Sequence, residues 1–191
     1  SDGSLIVCLK ANNAAVTEGG YGGIFRKINA DQTIDWEVTY SSSSYTAHHD
    51  VEYLSNGNII FLAWEISSND EAVEEGYAGR ANYGVVADNP NKVDLNYTYS
   101  SRDDGDLFHF NGLTVDEEND LIYVTVNFYS EVWVIDHSTT TEEASSDTGG
   151  TYDKGGDLVY RFGNPEAYDN VGDVTLNRVH YPNLLESGNM L

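Results

Sequence analysis

A single cysteine, Cys8, stands in a chain of 191 residues, so neither an intramolecular disulfide nor a cysteine-based zinc site can form. Basic residues are nearly as scarce. Nine Lys and Arg face 32 Asp and Glu, for a formal net charge of −23. So few cations cannot line a basic stripe in that field, which argues against nucleic acid and anionic membrane surfaces as partners. No apolar run is long enough to span a bilayer. No signal peptide is present, although a mature chain would have lost one. There is no phosphate-cradling P-loop, and no cofactor is implied. The acidity reads as a solvated surface, in keeping with a salty medium where screening is short-ranged. Binding of divalent cations is the alternative, and no run matches an EF-hand loop.

What the chain does have is 40% hydrophobic residues, 14 Tyr and 18 Gly, with no long helical pattern. That profile predicts an all-β protein rich in turns, long enough for one domain over 1–191 with a sizeable core. The first ten residues, SDGSLIVCLK, read as a turn and then a strand. In IFRKINADQTIDWEV, apolar residues alternate on both sides of 29–33, which predicts a hairpin. HHDVEYLSNGNIIFLAW holds the strongest hairpin signal of the chain, Asn56-Gly57. The stretch 70–75 could form one helical turn, and Asn96-Tyr97-Thr98 is a glycosylation sequon of a kind common by chance.

The organising stretch is 106–144, DLFHFNGLTVDEENDLIYVTVNFYSEVWVIDHSTTTEEA. Its runs 121–126 and 132–135 are β-branched and aromatic, as strands are. The polar motif His109-Phe110-Asn111-Gly112 stands just before them, where a β-scaffold carries chemistry. Asp136-His137-Ser138-Thr139 reads as a strand end whose hydroxyls bind local backbone, and Arg161-Phe162-Gly163-Asn164-Pro165 as a strand exit. DGSLIV, NGNIIFLAW, ENDLIYVTV and SGNML, starting at Asp2, Asn56, Glu118 and Ser187, each place a turn before an apolar strand. Such a repeat predicts β-propeller blades with loop insertions. At roughly 45 residues per blade there is room for about four. Trp36, Trp64 and Trp133 read as packing between blades.

HFNGLTVDEENDLIYVT, SEVWVIDHSTTTEEA and GGDLVYRFGNPEAY resemble the arylsulfotransferase (aryl-sulfate sulfotransferase) family, as do HHDVEYLSNGNIIFLA upstream and RVHYPNLLESGNML downstream. The resemblance implies a six-bladed propeller, longer than this chain, so the sequence reads as a truncated or divergent member. It also implies transfer of a sulfuryl group from an aryl sulfate to a phenolic acceptor, without a nucleotide, in an exported protein. His180 stands where the family has its histidine nucleophile, which would hold the group as a sulfohistidine. His109 and Asn111 resemble the donor pair for the sulfuryl oxygens, joined by one of His48 and His49, with His49 preferred. Where the family has an arginine this chain has Asn127, leaving Arg161, Arg178 or Lys154 as candidate replacements. Val179 likewise replaces a polar residue. The competing expectation is a non-catalytic extracellular propeller serving as a structural or binding module, self-associating through open blade edges. Metal binding by converging histidines is a further alternative, which no ligand spacing selects.

Overall fold

The computed structural model describes residues 2–68, 70, 93–94, 97 and 105–191. The alternating runs become nine strands among those residues: β1 (Leu5–Lys10), β2 (Gly23–Ile28), β3 (Ile34–Thr39), β4 (Tyr45–Tyr53), β5 (Ile59–Glu65), β6 (Phe110–Asp116), β7 (Leu121–Val126), β8 (Glu131–Asp136) and β9 (Tyr160–Phe162). They pair antiparallel in three sheets, ordered β1-β2-β3, β4-β5 and β6-β7-β8-β9. The chain divides into two compact units, Ser1–Ser67 and Ser68–Leu191.

The all-β expectation holds, but the propeller does not. Among the described residues the three sheets are open, with three, two and four strands, and only one has the four strands of a blade. The reason is physical. A turn followed by an apolar strand records a hairpin, and hairpins build open sheets as readily as blades. Closure depends on packing between sheets, which the repeat of turns does not encode. The helical turn expected at 70–75 and the sequon at Asn96-Tyr97-Thr98 lie outside the described residues, apart from Asp70 and Tyr97.

In unit 1 both expected hairpins form. The β2–β3 turn closes with the Asn29 amide donating to the Thr33 carbonyl at 2.9 Å. The β4–β5 turn takes Gly57 through φ 89°, a conformation that costs glycine little. Phe25 of β2 is fully buried and meets Phe61 of β5 at 4.9 Å between ring centroids, with Tyr40 against the far side of the cluster at 5.1 Å from Phe61. Backbone bonds from Gly22 to Ala47 and from Ala47 to Tyr40 tie the two sheets of this unit together.

Unit 2 is built on the β6–β9 meander, whose two faces separate cleanly by strand alternation. On one face Val124 pairs with Trp133, and Trp133 with Arg161. Phe108, Phe110 and Tyr129 surround Trp133 with ring centroids 5.6 Å from it. Glu131 is fully buried there, accepting from Trp133 Nε1 at 2.7 Å and from Arg161 Nε at 3.1 Å. Burial pushes the Glu131 carboxyl above its ordinary range, against the pull of Arg161 and the Trp133 hydrogen bond. On the other face, Tyr123–Val134–Tyr160 and Thr125–Val132–Phe162 form two rows across β7, β8 and β9.

Beyond β8 the chain follows most of its sequence signals. Asp136 accepts from the Ser138 amide and hydroxyl and from the Tyr152 amide. Burial alone would raise its carboxyl, but these bonds outweigh it and hold Asp136 below the usual range. The Ser138 hydroxyl donates to the Asp136 side chain and accepts from the Thr151 backbone amide, while Thr139 donates to the Asp136 carbonyl. A short helix, α1 (Thr141–Ala144), starts with a capping box between Thr140 and Glu143. Gly163 ends β9 at φ 132°, and Pro165 opens a 3-10 turn over Pro165–Tyr168.

Candidate functional site

The stretch 175–182 crosses the Tyr123/Val134 face of unit 2 as a strap. Its hold on the sheet begins in β6, where the pairing shifts between Phe110 and Gly112 and leaves Asn111 as the bulged residue. Asn111 is buried. Its Oδ1 accepts from the Thr125 hydroxyl at 2.6 Å, and its Nδ2 donates to the Val179 carbonyl at 3.0 Å. Asn127, also buried, donates to the same carbonyl at 3.2 Å. The Ser130 hydroxyl accepts from the Arg178 amide, and the Gly163 carbonyl from the Thr175 amide. Gly112 permits the closest approach: a Cβ there would lie 2.4 Å from Tyr181 Cα. The strap turns through left-handed backbone at Arg178 (φ 51°) and Tyr181 (φ 49°).

Between strap and sheet lies a cavity of about 320 Å³. Its floor is the two rows of β7, β8 and β9, and its wall includes Leu176, Val179, His180 and Pro182. Met190 and Leu191 complete the lining, brought back by the Leu184–Met190 bridge and paired Asn183–Leu191 backbone bonds. No side chain in the lining carries a fixed charge.

The residues singled out in the sequence are distributed as follows. His180 is exposed on the strap and lines the cavity, with Nδ1 3.0 Å from the Arg178 carbonyl. Asn111 reaches the carbonyl of Val179, the residue before it. His109 stands at φ 50° with Nδ1 against the Asp106 carboxylate, its ring stacked on Phe128 at 4.8 Å. Arg178 lies over Phe128, also at 4.8 Å, and donates to Asn127 Oδ1 at 3.4 Å. Of the three cations considered as replacements at Asn127, Arg178 is therefore the one in contact with it. Arg161 is engaged with Glu131 on the opposite face.

His48 and His49 belong to unit 1. Strand alternation predicts that they face opposite sides, but the β4 register shifts between His48 and Val51, and His49 takes φ 53°. Their Nδ1 atoms come within 2.8 Å of each other, which requires one ring to donate and the other to accept. His48 is buried and stacked on Trp64 at 3.9 Å. The described residues contain no group of three or more His, Cys, Asp or Glu placed to hold a metal ion.

No family model, curated protein or solved structure matches the chain. The arylsulfotransferase resemblance is thus without support, and the open sheets lack the propeller that it implies. Sulfuryl transfer through a sulfohistidine at His180 falls with it, as does the alternative of a non-catalytic propeller. What fold and site define is an all-β chain whose second unit carries a walled apolar cavity.

The cavity floor was missed in the sequence although a signal was present. LIYVTV is apolar at nearly every position and EVWVID throughout its centre, 132–135, as strands covered on both faces are.

Proposed function

We propose that unit 2 is a binding module for a small, uncharged, largely apolar molecule. The observation that carries this reading is the cavity of about 320 Å³ between the β7–β9 face and the strap. Its size lies at the lower end of the range of small-molecule sites, and its lining of apolar and aromatic side chains with few polar groups is what such sites use. The net charge of −23 disfavours anionic ligands and supports a neutral one.

The test is a fluorescence titration with the uncharged probe N-phenyl-1-naphthylamine on the native chain and on Val134→Phe, which fills the floor. One saturable site in the native chain that weakens at least tenfold in the variant is the expected result. Equal binding by both proteins would overturn the proposal.

A second reading, self-association through sheet edges, is favoured by β3, which is an edge of its sheet and exposes Ile34 and Val38. Light scattering with Val38→Lys tests it. A mass above the monomer that falls in the variant supports association, and a monomer throughout rejects it.

A further inference from the structure

We infer, resting on the cavity reading above, that the site selects a neutral ligand bearing a hydroxyl group, and that Nε2 of His180 accepts the hydrogen bond from that hydroxyl. The starting point is a bond with only one possible polarity. His180 Nδ1 lies 3.0 Å from the Arg178 carbonyl oxygen. A carbonyl only accepts, so Nδ1 carries the hydrogen, and in the neutral ring Nε2 is left with the lone pair.

The accepting carbonyl is itself fixed. Arg178 and Val179 are bound to Ser130, Asn111 and Asn127, and Arg178 holds a left-handed backbone conformation. A ring bonded to a pinned carbonyl keeps one tautomer. His180 belongs to the cavity lining, and with Nδ1 turned to the backbone, Nε2 is the nitrogen that it can offer a ligand.

The remaining polar groups of the lining do not reverse this selection. The Thr125 hydroxyl already donates to Asn111 Oδ1 at 2.6 Å, so it too presents lone pairs. The hydroxyls of Tyr123, Tyr160 and Tyr181 both donate and accept and therefore discriminate little. The nearby guanidinium of Arg178 lies over Phe128 and bonds to Asn127, and Arg178 is not part of the lining. A carboxylate ligand would meet no fixed cation there. An alcohol would meet an oriented acceptor at one end and apolar walls along its length.

The experiment compares 1-octanol, octyl methyl ether and octanoate on the native chain and on His180→Phe, which keeps an aromatic ring but has no acceptor. Long-range proton–nitrogen NMR on the native chain reads the His180 tautomer independently of any ligand. The expected result is octanol binding about tenfold tighter than the ether, in line with one hydrogen bond, with octanoate weakest. His180→Phe should keep ether binding and lose the preference for the alcohol, and the spectrum should show the Nδ1–H form. Equal affinity for alcohol and ether, or an Nε2–H tautomer, would overturn the inference while leaving the cavity reading intact. No saturable binding by any of the three, or a rise to dimer mass that blocks them, would overturn the cavity reading and the inference with it.

Discussion

Units 1 and 2 use the same backbone device to different ends. Each has a histidine in left-handed conformation next to a break in strand pairing: His49 (φ 53°) in β4 and His109 (φ 50°) before β6. In unit 1 the irregularity turns side chains toward one another. His48 and His49 meet Nδ1 to Nδ1, His48 stacks on Trp64, and Gly20 leaves room for the His49 ring. In unit 2 the bulged residue, Asn111, leaves the ladder to hold a separate segment, and Gly112 beside it lets that segment come close. A bulge re-aims a side chain, and what it reaches depends on the layer above it. In one unit that layer is Trp64 of β5 and the backbone at Gly20; in the other it is the strap that walls the cavity.

The largest expected effect concerns the opposite face of unit 2. Arg161→Met leaves Glu131 buried without its cation and should destabilise by about 3–5 kcal/mol, measured by urea unfolding. The pH dependence gives this residue a second signature. Because the folded state raises the Glu131 carboxyl, it binds that proton more tightly than the unfolded chain. The resulting contribution to stability is complete below the ordinary carboxylate range and is lost as pH rises through the raised value. Asp136, held low, acts in the opposite sense: its contribution is present above the ordinary range and lost as pH falls. Glu131→Gln should remove the loss on raising pH and keep the loss on lowering it, read from unfolding midpoints across pH 3–8.

Next in size is Gly112→Ala. The new methyl would stand 2.4 Å from Tyr181 Cα, against backbone that three side chains hold in place. Overpacking of this kind should cost about 2–3 kcal/mol and reduce probe binding in the cavity. Asn111→Ala removes one of two donors to the Val179 carbonyl and one acceptor of the Thr125 hydroxyl. The expected loss is about 1–2 kcal/mol, with weaker probe binding as the strap loosens. A stable Asn111→Ala protein with native affinity would show that the strap does not depend on the bulge.

The smallest effect belongs to unit 1. Gly20→Ala would set a methyl 2.1 Å from the His49 ring and place alanine at φ 83°. The ring sits at the end of its side chain and can move, so the cost should be about 1 kcal/mol, mainly from the backbone. The imidazole NMR signals of His48 and His49 should shift as their contact opens. If they stay in place, the pair does not depend on the space above Gly20.

The strands were legible because their signals are local. Leu121–Val126 and the Asn56-Gly57 turn follow from β-branched runs and from a turn that needs positive φ. The order within each sheet follows from hairpins, since every pairing joins consecutive strands, but where one sheet ends and the next begins was not legible, because hairpins leave that to packing. In the candidate site, HFNG singled out the stretch from which Asn111 reaches the strap. Asn111 binds protein backbone rather than being read from two-residue spacing with His109 as a paired donor, and the bulge breaks the alternation that such spacing assumes. The contact of Arg178 with Asn127 joins residues 51 apart and has no local signature.

On the proposed reading a small neutral molecule occupies the space between the β7–β9 face and the strap. Intermolecular NOE measurements with methyl-labelled protein and bound 1-octanol test it most directly. Contacts are expected from the ligand to the methyls of Val132, Val134, Leu176 and Val179, and none to Val124 on the Trp133 face. Contacts to Val124, or contacts scattered over both faces, would contradict it.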